Sequence, residues 1–319
     1  MLLSIIIVSY NEEKYIPQAI ESCLMQVGID DYEIIIGDDG SSDNSLEIIK
    51  EYKQKYPDKI KYFIMDRDET GGVIGAIRAS NVIKTGLAIS TGKYINVLSA
   101  DDFFCDNSKF KKSISLLEDE RYTKYSAAVS QYKKVWDDGR EEIIENKKLP
   151  FRVMWSGGYV HVSCFVFKRD VFRKKLLLSR FCDDTGLIFS IGLLGDFIYL
   201  DDVMFAYRQR AGSIMHKSDE LELCILELLL LQDIFNIGNK LSSSLARMSK
   251  VMLFVCENRS FLKDKKYTKY MKNAGQYKYD ILSAVKNCNV FYIKIIKILI
   301  YLNERFWIWR RSLFKRIHI

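Results

Sequence analysis

Along the first hundred positions, apolar residues fall in short β-branched runs separated by stretches of helical periodicity, the pattern of parallel strands joined by crossover helices. Leu2–Val8 is a continuous apolar run and predicts a strand. Tyr32–Gly37 predicts a second buried strand, Lys59–Met65 an alternating third and Tyr94–Leu98 a fourth. Between the first two, Asn11 reads as a helix N-cap, with Glu12 and Glu13 at the positive end of the dipole and Ile16, Ile20, Cys23 and Leu24 on one face. Asp43–Tyr56, stopped by Pro57, and Ile74–Ala88 predict two more helices. Beyond residue 102 the alternation changes. Ser126–Trp136 and Glu141–Ile144 flank Asp137-Asp138-Gly139, a short-range hairpin signal. Tyr159–Phe167 and Phe197–Tyr207 predict strands, and Thr185–Leu194 a helix. After about Lys217 the periodicity is helical throughout, with Leu221, Cys224, Ile225, Leu228 and Leu229 on one face. The pattern is that of an α/β domain over 1–216, a mixed sheet flanked by helices, followed by an all-helical C-terminal region over 217–319.

Composition narrows the class. Of the 319 residues, 48% are hydrophobic and 13% aromatic, enough apolar surface to offset the ordering entropy that keeps polar chains disordered. The seven cysteines contain no CxxC pair, which argues against zinc ribbons, thioredoxin-like sites and a disulfide framework, and the thiols are expected to be reduced core fillers. Leu2–Val8 has no basic segment before it and no small-residue cleavage site after it, so it is expected to be a strand and not a secretory signal. No uncharged apolar run reaches the ~18–20 residues of a membrane span. The net charge of +7 is unevenly placed: residues 286–319 hold eight basic residues against one acid, Glu304, so residues 1–285 sum to zero. A neutral body with a basic tail points to an anionic surface met by the tail alone, and gives a nucleic-acid partner little support.

In open α/β sheets, ligands bind beyond the carboxyl ends of the strands. Three such ends here are polar or acidic: Ser9-Tyr10-Asn11-Glu12, Asp38-Asp39-Gly40-Ser41-Ser42-Asp43 and Asp101-Asp102. Carboxylates gathered at one edge repel one another, and a divalent cation with hard oxygen ligands is the usual remedy, which in turn suits a phosphate-bearing substrate. No glycine-rich dinucleotide fingerprint follows Val8, and no Walker pattern is present.

The segments Ser4–Asn11, Glu33–Asp43 and Gly92–Asp102 together resemble the three N-terminal motifs of the family 2 glycosyltransferases of the GT-A fold, in matching order and spacing. The resemblance covers residues 1–110 and extends to residue 213 through Asp183-Asp184, Gly195 and Tyr207-Arg208. It implies a nucleotide-sugar-binding half over 1–110 and an acceptor side over 111–216. Tyr10 and Asp39 would then hold the base, Asp39 accepting from the N3–H of a uracil. Asp101, third in the DxD-like motif and acting with Asp102, would hold a divalent metal (Mn²⁺ or Mg²⁺) on the diphosphate. Ser99 stands at that motif's first position. Arg78 is the nearest candidate for a phosphate contact, and Arg208 lies in the segment that closes over the diphosphate, with Arg210 where a histidine is common. Asp184, second acid of an ED-like pair eleven positions before Gly195, is the implied catalytic base of an inverting transfer.

The remaining features carry plainer readings. His161, inside an apolar run, is expected to be a hydrogen-bonded core histidine, and His216 a surface one. Trp155-Ser156-Gly157-Gly158 either shapes an acceptor pocket or turns the chain. In 286–319, Lys294, Lys297, Arg310 and Arg311 lie beside Phe291, Trp307 and Trp309, a composition suited to the headgroup region of an anionic membrane. The expectation is therefore a UDP-sugar transferase of surface polysaccharide synthesis, acting on a glycan or lipid-linked glycan acceptor. It would be cytoplasmic and peripheral on the inner face of the cell membrane. A catalytically inactive nucleotide-sugar-binding module is the alternative, and the C-terminal helices leave a homo-oligomer open.

Overall fold

The computed structural model describes residues 1–66, 75–146, 148, 160–170 and 184–210. The chain divides into two compact units. All of the described residues lie in the first, which comprises Met1–Thr70, Ile74–Met154 and Gly158–Lys217. Tyr159, Trp155–Gly158, Asp183, His216 and the whole of 217–319, with the basic tail, lie outside the described residues.

The first four strands and the three helices between them follow the apolar runs: β1 (Leu3–Ser9), α1 (Ile16–Leu24), β2 (Tyr32–Asp38), α2 (Ser45–Lys55), β3 (Ile60–Ile64), α3 (Gly75–Ile89) and β4 (Tyr94–Ser99). Ile5, Ile6, Ile7, Ile34, Ile35 and Ile36 are fully buried, as expected of parallel strands covered on both faces. After β4 come β5 (Phe103–Phe104), α4 (Lys109–Glu118), β6 (Tyr125–Trp136), β7 (Glu141–Ile144), β8 (Phe165–Lys168), α5 (Asp184–Leu194) and β9 (Asp196–Gln209). The described strands form one mixed sheet in the order β3-β2-β1-β4-β8-β6-β9-β5, with β7 added to β6. From β3 to β4 the pairings are parallel; β8 runs antiparallel to both β4 and β6, while the long β9 runs parallel to β6 with a bulge near Gln131. The hairpin expected at Asp137-Asp138-Gly139 is present as β6 and β7, with Gly139 at φ 84°. This is the α/β mixed sheet of the GT-A fold expected from the motifs.

Four local expectations need correction. Asn11 does not cap α1. It sits at φ 53°, and Tyr15 occupies the N-cap position four residues later, with Pro17 in the first turn. Tyr159–Phe167 is not one strand, because Val162–Cys164 forms a 3₁₀ turn and only Phe165–Lys168 joins the sheet. Helix α4 was not expected, although Phe110, Ile114 and Leu117 at helical spacing form its buried face. Of the described cysteines, Cys23 and Cys164 are buried as core fillers, but Cys105 is exposed.

A fully buried carboxylate ties the amino ends of the parallel strands. Glu33 on β2 accepts from Ser4 Oγ, Thr91 N–H and Thr91 Oγ on one oxygen, each at 2.7 Å, and from Lys61 Nζ on the other at 2.7 Å. Burial alone would raise its pKa, but the bonds from Lys61, Ser4 and Thr91 overcome that and bring it from 4.5 to about 2. A carboxyl depressed in the folded state stabilises the fold above its unfolded pKa, and that contribution is lost as pH falls from about 4.5 towards 2. Replacing Glu33→Gln is expected to lower the unfolding free energy at pH 7 by about 2–3 kcal/mol, since it strands buried donors. Urea denaturation at pH 7 and pH 3 checks this: the gap between wild type and variant should narrow at the lower pH.

Candidate functional site

Strand register builds the site. Ser9 pairs with Asp38 and Val8 with Ser99, so Tyr10, Asp39 and Ala100-Asp101-Asp102 leave the sheet side by side at its carboxyl edge. Two further ladder bonds, Asp39 N–H to Ser9 O and Ala100 N–H to Val8 O, both 2.9 Å, hold the three ends together.

The two acids of the second motif face different ways. Asp38 is fully buried and accepts from Ser41 N–H at 2.8 Å and Ser41 Oγ at 2.6 Å, closing its own turn. Asp39 receives Arg78 Nε at 2.7 Å, and Arg78 Nη2 donates to Asp66 O at 3.2 Å. Arg78 thus meets the acid assigned to the base. Tyr10 is half-buried immediately after β1. The first two motif loops are laced together: Asn11 N–H donates to Ser41 Oγ at 2.9 Å, and Asn11 Oδ1 accepts from Ser42 N–H at 2.8 Å. Glu12 N–H donates to Ser45 Oγ at 2.8 Å and Glu13 N–H to Asp43 Oδ2 at 3.0 Å.

The third motif is held by cations. Asp101 Oδ1 accepts from Ser99 Oγ at 2.6 Å, so the serine at the motif's first position orients the acid at its third. Asp101 Oδ2 accepts from Arg210 Nε at 3.0 Å, and Arg210 Nη2 also pairs with Glu12 Oε1. Asp102 is buried, with Oδ1 accepting from Arg208 N–H at 2.8 Å and Oδ2 lying 4.0 Å from His161 Nε2. Burial, with Asp101 beside it, drives the Asp102 carboxyl well above the carboxylate range. Burial likewise pushes Glu12 up to about 7 against the pull of Arg210, with Asp101 adding to the rise. Arg208 donates from Nε to Asp101 O at 2.9 Å and from Nη2 to Gln18 Oε1 at 2.6 Å, its guanidinium 4.6 Å from the Tyr15 ring centre. His161 is the core histidine expected. Its Nδ1 accepts from Ser163 N–H at 3.3 Å, its ring lies 4.7 Å from that of Phe205, and burial lowers its pKa to about 4.

Tyr10, Asp39, Arg78, Asp101, Asp102 and Arg208 therefore all lie at or just behind one edge. Asp184 is the first residue of α5, and its side chain lies outside the described residues. Gly195 follows that helix where an added Cβ would come within 2.2 Å of Lys124 O, so only glycine fits. Sequence reasoning missed Tyr15 and Gln18 and named Glu12 only as an acid of the first strand end; all three belong to the loop and first helix after β1. The position of Glu12 directly beyond a buried strand was the available signal.

Among the described residues, no group of three or more His, Cys, Asp or Glu side chains is arranged to hold a metal ion. The donors present still suit a hard cation that brings its own phosphate ligands: Asp101 is a carboxylate at the edge, and Glu12 Oε2 and Asp102 Oδ2 are buried acceptor atoms without a hydrogen-bond partner.

The family model described as Glycosyl transferase family 2 matches residues 4–176. An uncharacterized protein of Mycobacterium tuberculosis is 24% identical over 221 residues, 68% of this chain and 61% of that protein, so the chain spans about three fifths of that relative's length. The minor teichoic acid biosynthesis protein GgaB of Bacillus subtilis is 34% identical over 119 residues, 37% of this chain and 12% of its own. Among solved structures, S. aureus TarS 1–349 in complex with UDP-GlcNAc superposes with a TM-score of 0.61 at 16% identity, covering 89% of this chain and 82% of that one.

Because Asn11 is left-handed and its side chain ties the first motif loop to the second, Asn11→Ala should cost about 1–2 kcal/mol. Asn11→Gly, which relieves the backbone but loses the tie, should cost less. Thermal unfolding of the two variants against wild type measures the difference.

Proposed function

This chain belongs to glycosyl transferase family 2, and from that premise we propose that it is an inverting glycosyltransferase. It would move a sugar from a nucleotide-diphospho-sugar, a UDP-sugar, to a glycan or lipid-linked glycan acceptor in surface polysaccharide synthesis. The observation that carries the reading is the register of β2, β1 and β4, which gathers Tyr10, Asp39 and Asp101 at one carboxyl edge. The UDP-GlcNAc held by TarS and the teichoic acid role in the name of GgaB support the donor and acceptor classes.

On this reading the labour divides among the residues of that edge and Asp184. Tyr10 packs on the base and Asp39 accepts from the N3–H of uracil, with Arg78 fixing the plane of that carboxylate. Asp101, oriented by Ser99 and backed by Asp102, would hold a divalent cation, which when bound neutralises charge on the departing diphosphate. Arg208, anchored on Asp101 O and Gln18, presents positive charge at the same edge. Asp184 takes the proton of the acceptor hydroxyl as its oxygen attacks the anomeric carbon. The bond to the diphosphate breaks with its electron pair on the leaving oxygen, and the anomeric configuration inverts.

Transfer from UDP-sugars to a soluble glycan tests this reading. Asp184→Asn keeps the shape but cannot accept the proton, so turnover should fall by ~10²–10⁴-fold with donor affinity nearly unchanged. Full turnover in that variant would remove Asp184 from its role. Donor binding without turnover in the wild type would instead identify a nucleotide-sugar-binding module.

For the cytoplasmic, inner-face location, the support is the tail, where all of the net charge lies beside Phe291, Trp307 and Trp309. Each basic residue near an anionic surface contributes about 1 kcal/mol. Replacing Arg310, Arg311, Lys315 and Arg316 by Gln should therefore release the protein from anionic vesicles at low salt, leaving transfer to a soluble acceptor intact. Co-sedimentation with anionic and neutral vesicles checks this. Equal sedimentation of the two forms would refute the membrane role, and a loss of oligomer mass would point to self-association through this region.

A further inference from the structure

The guanidinium of Arg210 lies where a cation on Asp101 would have to come. Nε and Nη2 reach Asp101 Oδ2 at 3.0 and 2.9 Å, and Nη2 is shared with Glu12 Oε1. The three side chains are only 21%, 12% and 11% exposed, and the Tyr15 ring centre lies 5.1 Å from the guanidinium. Asp101 Oδ1 is held by Ser99, so Oδ2 is the oxygen left for a cation, and the Arg210 guanidinium already occupies it. Two cations on one carboxylate oxygen in a half-dry setting repel strongly. Removing Arg210 would leave Asp101 and Glu12 facing each other with a buried, unpartnered Glu12 Oε2 between them and the protein, a pair of hard oxygen donors without a counter-ion.

We propose that Arg210 and a divalent cation are mutually exclusive on Asp101 Oδ2. Arg210 is the resident counter-ion of this edge, and a metal is held there only when the guanidinium swings away. Its forked donors suit the oxygens of a diphosphate, so the anion that arrives with the metal is the partner Arg210 moves to. That last step rests on the nucleotide-sugar reading, whereas the competition rests on the side chains alone.

The test uses Mn²⁺ by itself on the full chain, titrated by electron paramagnetic resonance or calorimetry without nucleotide. Arg210→Gln is expected to tighten Mn²⁺ binding about tenfold relative to wild type, and Asp101→Asn in that background to abolish the gain. Arg210→Lys, a point charge that cannot fork across both carboxylates, should fall between the two, and it carries the test if Arg210→Gln does not fold. Unchanged or weaker Mn²⁺ binding on loss of the guanidinium overturns the proposal, as does a gain that survives Asp101→Asn. A separate titration of wild type with UDP and Mn²⁺ reports on the nucleotide reading. Failure to bind UDP beside a tenfold Mn²⁺ gain would sink that reading and leave the competition standing.

Discussion

Everything at the carboxyl edge depends on one buried carboxylate at the opposite edge. Glu33 takes its four hydrogen bonds from β1, from Thr91 in the turn between α3 and β4, and from β3, so it fixes β1, β2, β3 and the entry to β4 in one register. The side-chain period of a strand is two, and a slip of one residue would turn Asp39 into the position of Asp38, a buried turn-former. Parallel pairing then transmits the register upward through Ile5, Ile6, Ile7 and Val8 of β1 and their partners on β2 and β4 to the polar ends. The chemistry of the site is written in the loops, but their alignment is set about twenty ångström below by a group that touches no substrate, since a strand rises ~3.3 Å per residue over seven residues.

At the carboxyl edge each of the four motif acids meets a partner from the chain itself. Asp38 is absorbed by its own turn, Asp39 by Arg78, Asp102 by the Arg208 backbone and Asp101 by Arg210. Arg208 and Arg210 come from the end of β9 and the residue after it, more than a hundred residues along the chain. Strand β9 runs parallel to β6 and pairs at its far end with β5, and Phe103–Phe104 of β5 directly follow Asp102, so the arginines and the acids meet because of sheet topology.

Much of this was legible in the sequence, and the exceptions have physical causes. Strands β1, β2 and β4 were plain because burial on both faces demands unbroken apolar runs. The motif acids were found because they follow those runs. Asn11 misled because an Asx residue before acidic positions is also the signature of a turn, and here its side chain serves a neighbouring loop instead of a helix. The lysines of α4 concealed Phe110, Ile114 and Leu117, and one of them, Lys109, is itself fully buried, bonded to Ser130 Oγ and Cys164 O at 3.3 Å. The position of Glu12 beyond a buried strand was a signal, but nothing local pointed to its pairing with Arg210. They are separated by 198 positions, and only the assembled sheet puts them together.

The lacing between the first two motif loops has a bearing on how such a chain changes over generations. Asn11, Glu12 and Glu13 are bonded to Ser41, Ser42, Asp43, Asn44 and Ser45 in both directions, backbone to side chain each way. Neither loop's conformation is independent of the other. An insertion in one would break bonds counted in the other, and a recombination joint between them would unite halves shaped for different partners. The two motifs are heritable as a single knot, so diversification of the donor site is channelled away from it, into segments that can vary in length without untying it.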